Sequence, residues 1–340
     1  AKDPEERFQS ARDVARALAW SETEPVERAA HPGRREWLGW AFGSAAMGGT
    51  GWMWFQGRRE SAGAAPFLRL DVDLGDGTAL LPIMTRASGS IAISPDGTRL
   101  AYSSGAKGML YLRKLEEAKA VPLAGIEGAS HPFFSPEGQW LGFHCGSDIC
   151  KVPVEGGAML AVGPAAAATF AGAWWGEDGY IYISEAYTKG LLRVRESGVA
   201  PEPLAGLRNG EIALARPQLL PGGRAILFAA HTTPDVDKAT IEVLTPATGE
   251  RKIVARGGQS PRYVAGAGGS GHLIFVNKRA LLAVPFDPGK LETRGSTVPV
   301  LSDVAMGRFG NSDFDVSRTG TLIYRKDLLD KAGVSEAEIT

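Results

Sequence analysis

Short runs in which apolar residues alternate with small or polar ones dominate the chain, and most of them end at a tight turn. In residues 91–102, Ile91 and Ile93 alternate before the turn Ser94-Pro95-Asp96-Gly97, and Leu100 and Tyr102 alternate after it. Alternation with a period of two indicates β-strands. Proline presets φ at the second turn position, and Gly97 supplies the left-handed residue that starts the return strand. This unit therefore predicts a β-hairpin.

The hairpin unit recurs along the chain. Ser135-Pro136-Glu137-Gly138 lies 41 residues after Ser94, and further turns begin at Gly176, Leu220, Gly268 and Ser317, at spacings of 41, 44, 48 and 49 residues. Four short strands fill a period of this length. The pattern predicts an all-β fold, a β-propeller of about six four-stranded blades. The blades are expected at 87–128, 129–168, 169–210, 211–258, 259–308 and 311–327, the last one cut short.

A different pattern precedes the repeats. Residues 3–19 predict a short amphipathic helix, because Asp3 and Pro4 suit its first turn and apolar residues from Phe8 to Leu18 share one face. A single helix of this length cannot form a core, so we expect it to pack on a partner that this chain does not contain. Residues 20–36 combine prolines with many charges and predict a linker.

Residues 37–57 carry no charge, and arginine pairs flank them on both sides. As a helix, this stretch would be about 31 Å long, close to the roughly 30 Å of a bilayer core. Tryptophans stand near both ends, as in membrane-interface belts. We therefore predict a single transmembrane helix; the alternative is a buried core helix rich in glycine and alanine.

Gly39 and Gly43 form a Gly-x-x-x-Gly pair inside the predicted span. Small residues at this spacing let two helices approach closely in lipid. Homodimerisation through this face is a hypothesis, and the alternative is that each glycine is merely tolerated. After a linker at 58–66, the propeller is expected over 67–327, with 67–74 as a strand that closes the ring, and 328–340 as a tail.

Composition excludes some classes of function. Lys and Arg number 37 against 38 acidic residues, so no electrostatic case for nucleic-acid binding exists. The first residue is not Met, so we expect the chain to be an internal piece of a longer protein. No Gly-x-Ser-x-Gly or His-Glu-x-x-His motif is present, and the five histidines are scattered; His131 and His272 are interpreted as structural. We predict no catalytic residue and no metal site in this chain.

The only two cysteines are close in sequence. If Ser147-Asp148 is a two-residue turn, Cys145 faces Cys150 with the Cα atoms about 4.5 Å apart, within the disulfide range. Cys145 and Cys150 are therefore a candidate disulfide. The alternative is that both pack in reduced form in a strand pair.

Two resemblances follow from these motifs. The segment Lys2-Asp3-Pro4-Glu5-Glu6-Arg7-Phe8 resembles the last helices of the C-lobe of bacterial Ser/Thr protein kinases, and the Ser-Pro-Asp-Gly repeats resemble TolB-like and WD-type propeller repeats. The order of kinase end, membrane span and propeller resembles the receptor-type Ser/Thr kinases of soil bacteria. By this resemblance, 1–19 is the end of a truncated kinase domain and Arg7 is the structural arginine that pairs with the missing Ala-Pro-Glu motif.

The resemblance to receptor-type Ser/Thr kinases implies a function. The chain would be the membrane anchor and extracytoplasmic sensor of a transmembrane Ser/Thr kinase in the cell inner membrane, binding an unknown ligand or protein. ATP and magnesium would belong only to the missing kinase core, so this chain itself needs no cofactor. One alternative is a membrane-tethered propeller scaffold without a kinase role. Another is the non-catalytic half of a propeller peptidase.

Overall fold

The computed structural model describes residues 72, 74, 80, 91–105, 107–266, 271–306 and 312–326. All of them belong to the second of two compact units into which the chain divides, Leu70–Thr340. Several predictions lie outside the described residues: the helix 3–19 with Arg7, the linkers 20–36 and 58–66, the span 37–57 with Gly39 and Gly43, and the tail 328–340. Within the described ranges, no helix is long and apolar enough to cross a membrane.

The described residues form short antiparallel strands in consecutive sheets. The first sheet holds β1 (Ile91–Ile93), β2 (Arg99–Ser104), β3 (Met109–Lys114) and β4 (Val121–Pro122), and the second holds β5 (Ala129–Phe134), β6 (Trp140–Cys145), β7 (Asp148–Pro153) and β8 (Leu160–Pro164). The third holds β9 (Phe170–Trp175), β10 (Tyr180–Glu185), β11 (Gly190–Arg195) and β12 (Glu202–Ala205). The fourth holds β13 (Ala213–Leu219), β14 (Ile226–His231), β15 (Thr240–Thr245) and β16 (Glu250–Arg256), with a 3₁₀ helix at Val236–Lys238.

The last two sheets depart from this plan. The fifth holds β17 (Gln259–Ala265), β18 (Gly271–Asn277), β19 (Ala280–Asp287), β20 (Glu292–Thr293) and β21 (Val298–Leu301). Here β20 and β21 pair with different parts of β19, so the outermost strand is split in two. Within the described residues, the final sheet consists of β22 (Phe314–Val316) and β23 (Leu322–Tyr324).

The first strand of each sheet lies at the centre of a ring. Strand β5 contacts β1 and β9, β13 contacts β9 and β17, and β22 contacts β1. The fold is therefore a β-propeller, as the repeat predicts. The prediction of about six four-stranded blades, the last one cut short, is corrected in its count: the described residues form five complete blades, and a two-stranded sheet takes the sixth position. The reason is that β21 pairs back onto the fifth sheet, which leaves only the hairpin β22–β23 for the last blade within the described residues.

The core lies between neighbouring blades. One cluster joins the first and second sheets around Leu110 and Phe143, and another joins the second and third around Ile149 and Ile181. These side chains are fully buried because alternate positions on each strand face the next blade. Val72 and Leu74 pack against the cluster that joins the first and last sheets; the rest of the predicted ring-closing strand 67–74 lies outside the described residues.

The predicted turns connect the first and second strands of their blades. Gly97 has a φ of +77° and Gly138 a φ of +73°, as the left-handed position requires. The Ser94 hydroxyl accepts the N–H of Arg99 at 2.8 Å, and the Ser135 hydroxyl accepts that of Trp140 at 3.0 Å. Each serine thus fixes the start of the return strand.

The cysteine hairpin has a different register from the predicted one. Cys145 pairs with Asp148, and Cys150 pairs with Phe143. The prediction that Cys145 faces Cys150 across a Ser147-Asp148 turn is therefore wrong. Gly146, with a φ of +63°, takes the first turn position, as a type II′ turn requires. The two cysteines are diagonal neighbours with Cα atoms 5.9 Å apart, and a disulfide joins them.

Candidate functional site

Four of the inner strands carry bulges where they pair with the second strands of their blades. Register shifts interrupt the pairing of β5, β9, β13 and β17 with the second strands of their blades. At these shifts His131, Arg216 and Ser260 have φ values of +52°, +54° and +51°, and Gly172 has a φ of +121°. A bulge re-aims the side chains that follow it. The repeated bulges therefore bring polar and charged side chains to the axis in strands that are otherwise apolar.

These strands enclose a narrow channel of about 70 Å³ along the axis. Its wall takes residues from all six sheets, among them Ile93, Phe133, Trp174, Arg216, Arg262 and Asp315. The two arginines and the aspartate place three charged groups in the wall of this channel. We therefore take it as the candidate functional site.

Arg262 and Asp315 form one half of its charge arrangement. Arg262 Nε lies 3.7 Å from Asp315 Oδ1, and Asp315 Oδ2 accepts the N–H of Ile93 at 3.1 Å. The Arg262 guanidinium also lies over the Trp174 ring, 5.4 Å from its centroid. Burial raises the pKa of Asp315 and lowers the pKa of Arg262, in each case against the attraction of the opposite charge.

Arg216 is a second cation of the channel wall. Its Nη2 donates to the carbonyl of Ser312 at 3.3 Å. Among the described residues it forms no ion pair, and its Nε has no hydrogen-bond partner. Burial, followed by repulsion from Arg262, lowers the pKa of Arg216 to about 10. Arg216 therefore keeps its charge at neutral pH.

One end of the channel opens into a wider pocket of about 460 Å³, the mouth pocket, on the side of the first-to-second strand turns. Trp174, Val316 and Arg318 line both spaces. The mouth pocket is otherwise lined mainly by apolar and aromatic groups, including Leu219, Pro221 and Tyr263.

Two contacts shape the wall and rim of the mouth pocket. The Gln218 side chain accepts the N–H of Tyr263 at 2.6 Å and donates to its carbonyl at 3.3 Å. It therefore fixes the fourth blade to the fifth. At the rim, Arg318 and Glu177 form an exposed ion pair of 2.6 Å.

The residues singled out from the sequence mostly lie elsewhere. The Cys145–Cys150 disulfide lies on β6 and β7 and does not line the channel. His131 does line the channel, and its ring packs edge-on against the ring of Phe170, with the ring centroids 5.0 Å apart. His144 bonds the carbonyl of Ala165 at 3.0 Å. No group of residues suited to hold a metal ion occurs in the described part of the chain.

Sequence analysis missed the channel arginines and Asp315. A signal for two of them was present: the pairs His131-Pro132, Arg216-Pro217 and Ser260-Pro261 stand at the same place in three inner strands. Proline lacks the N–H that a strand ladder needs, so it marks a bulge. Arg262 follows the third of these pairs, and Arg216 opens the second.

Comparisons with known proteins bear on the fold alone. No family model matches the sequence, and no curated protein matches it. The crystal structure of TolB from Acinetobacter baumannii has a TM-score of 0.48 at 16% identity, covering 63% of this chain and 54% of that chain. The structure of putative TolB from Agrobacterium tumefaciens has a TM-score of 0.47 at 16% identity, covering 66% of this chain and 87% of that chain. A functionally unknown protein from Desulfotomaculum acetoxidans has a TM-score of 0.51 at 13% identity, covering 71% of this chain and 80% of that chain. The arrangement of strands therefore recurs in that protein.

Proposed function

We propose that the propeller is the extracytoplasmic ligand-binding module of a transmembrane Ser/Thr kinase, with its ligand at the axial channel. The observation that carries the binding role is Arg216, a charged group in the channel wall with no ion-pair partner among the described residues. Ligand sites are usually concave and mostly apolar, with a few convergent polar groups. The mouth pocket and the channel together fit this description.

The kinase and membrane parts of the proposal depend on the sequence. They rest on the resemblance of residues 2–8 to the end of a kinase domain and on the uncharged stretch 37–57. In this scheme the kinase lies in the cytoplasm, where ATP is available, and the propeller lies outside. A ligand in the mouth pocket would contact turns of the third, fourth and last sheets. It would change how these blades pack and so alter the geometry of a dimer across the membrane.

The test uses the intact reading frame that contains this chain. Upstream of Ala1 it should encode Asp-Phe-Gly and Ala-Pro-Glu motifs, and alkaline phosphatase should be active when fused after residue 66 but not after residue 36. Deleting 91–326 from the intact protein should change autophosphorylation in membranes, whereas deleting 328–340 serves as the control and should not. An upstream frame without kinase motifs would favour the alternative, a membrane-tethered propeller scaffold. Autophosphorylation that does not respond to the deletion would argue against sensing.

A further inference from the structure

We propose that the axial channel binds the carboxylate of a small organic acid through Arg216, while the apolar body of that ligand lies in the mouth pocket. This inference rests on the proposed function of the propeller as a ligand-binding module, and it adds the chemical class of the ligand. Its basis is the charge balance of the channel wall, the unpartnered donors around Arg216 and the sizes of the two connected spaces.

Of the four arginines at or beside the channel, three lie against a carboxylate, and Asp178 of the mouth pocket instead accepts the Tyr182 hydroxyl at 2.6 Å. Arg262 lies against Asp315 at 3.7 Å, Arg325 against Asp313 at 3.7 Å, and Arg318 against Glu177 at 2.6 Å. Arg216 has no carboxylate within ion-pair distance among the described residues, and Asp313 and Asp315 act on it only at longer range. A partly buried cation without a counter-charge favours an anionic ligand.

Unpartnered polar atoms lie beside this cation. Arg216 Nε and the Ser312 hydroxyl both lack hydrogen-bond partners among the described residues, and Ser312 is 1% exposed. The bond from Arg216 to the Ser312 carbonyl keeps the two residues adjacent. Buried donors without partners are costly. A carboxylate has two acceptor oxygens, so it can accept from two N–H groups of the Arg216 guanidinium, which lines the channel.

The sizes of the two spaces determine which part of a ligand goes where. The channel, of about 70 Å³, accommodates a head group but not a whole metabolite, whereas the mouth pocket has about 460 Å³. Trp174 and Val316 line both spaces, so one ligand can reach from the pocket to Arg216. Leu219 and Tyr263 give the pocket an apolar wall. A single arginine without a carboxylate partner suits a carboxylate monoanion better than a dianionic phosphate, which would bring a second negative charge into a wall that already holds Asp315.

The experiment measures binding of phenylacetate and of its neutral analogue phenylacetamide to the full chain in detergent, by calorimetry and tryptophan fluorescence. We expect phenylacetate to bind about tenfold more tightly or better, because a hydrogen bond to a charged group contributes roughly 1.5–3 kcal/mol. Arg216→Gln should remove this preference and Arg216→Lys should keep part of it. The control Arg208→Gln removes an exposed charge outside the channel and should leave the preference unchanged. Thermal unfolding of each variant checks that it is folded.

Several results would overturn the inference. These are the absence of phenylacetate binding at millimolar concentrations, equal binding of the two probes, tighter binding of inorganic phosphate, or a preference that survives in folded Arg216→Gln. If Arg216→Gln does not fold, the comparison of phenylacetate with phenylacetamide on the unsubstituted chain decides whether the inference holds. Failure here, with autophosphorylation still responding to deletion of the propeller, would remove the carboxylate and leave the sensor proposal intact. Specific phenylacetate binding, with autophosphorylation that does not respond to deletion of the propeller, would support the carboxylate site and argue against the sensor proposal.

Discussion

At the scale of single residues, a buried serine in three of the turns explains why those hairpins form where they do. Ser94, Ser135 and Ser317 are at most 3% exposed. The Ser317 hydroxyl accepts the N–H of Thr321 at 2.8 Å, which is the same task that Ser94 and Ser135 perform in their own turns. A buried backbone N–H without a partner would be costly. The serine satisfies one within the turn itself.

His231 makes stability dependent on pH. It is 5% exposed, and burial lowers its pKa to about 4 from an ordinary value of 6.5. A depressed pKa in the folded state stabilises the fold above pH 6.5, and this contribution is lost as the pH falls toward 4. Burial also lowers the pKa of His144.

We expect His231→Gln to flatten the acid dependence of stability. The drop in the free energy of unfolding between pH 7 and pH 4 should shrink by about 3 kcal/mol, since each pKa unit corresponds to ~1.4 kcal/mol. Urea unfolding across this range measures it. Between pH 7 and pH 8 the histidine is neutral in both states, so His231→Gln should leave the pH slope there unchanged. An identical acid slope in the variant and the unsubstituted chain would contradict the assignment.

At the scale of elements, each blade divides its tasks between its strands. The inner strands bear the bulges that aim His131 and Arg216 at the axis. The second and third strands form regular ladders, such as β6 with β7, and supply the fully buried side chains Phe143 and Ile149. Arg216 and Arg262 therefore lie on irregular strands and Asp315 lies on the regular strand β22, while the packing depends on the regular second and third strands.

The β6–β7 hairpin provides a test at this scale. Replacing both Cys145 and Cys150 by Ser should lower the free energy of unfolding by about 2 kcal/mol, because the disulfide closes a short loop with a sequence separation of 5. Urea unfolding with and without dithiothreitol measures the loss. The reductant should destabilise the unsubstituted chain by a similar amount and leave the double variant unchanged. Equal stability of both proteins under oxidising conditions would refute the prediction.

At the scale of the whole molecule, contacts between the last sheet and the first close the ring. Ile93 donates to Asp315 at 3.1 Å, Arg318 donates to the carbonyl of Pro95 at 2.9 Å, and Thr319 donates to the carbonyl of Asp96 at 3.1 Å. The two strands of the sixth position thus join blades that lie at opposite ends of the repeat array. Asp315 is central because it also meets Arg262 of the fifth sheet.

We expect Asp315→Ala to destabilise the ring by about 3 kcal/mol, because removing one partner of a buried pair leaves the other charge uncompensated. The side chains of Arg262 and Asp315 are 10% and 18% exposed. The control is Glu292→Ala, which breaks an ion pair between the fourth and fifth sheets with Lys252. The side chains of Lys252 and Glu292 are 42% and 56% exposed, so the loss in the free energy of unfolding should stay below about 1 kcal/mol. Equal losses in thermal or urea unfolding would show that Asp315 has no special role in closure.

Local features of this fold were predictable from the sequence. The turn at Ser94-Pro95-Asp96-Gly97 and the two strands that flank it, Ile91–Ile93 and Arg99–Ser104, occur where the alternation predicts them. The register of the cysteine hairpin was not predicted, because two adjacent turns, Gly146-Ser147 and Ser147-Asp148, compete locally and only the pairing of β6 with β7 selects one. The site was missed for a related reason, since an arginine in a strand is ordinarily a surface residue.

The sequence by itself determined the hairpins, their turns and their repetition, because alternation, proline and glycine act on neighbouring residues. Only the tertiary structure decided that Arg262 meets Asp315, that Arg216 has no such partner among the described residues, and that the last position of the ring holds two strands. These features depend on inner strands far apart in the chain meeting at one axis. The burial and charge of each side chain there are set by the other blades, which no local pattern encodes.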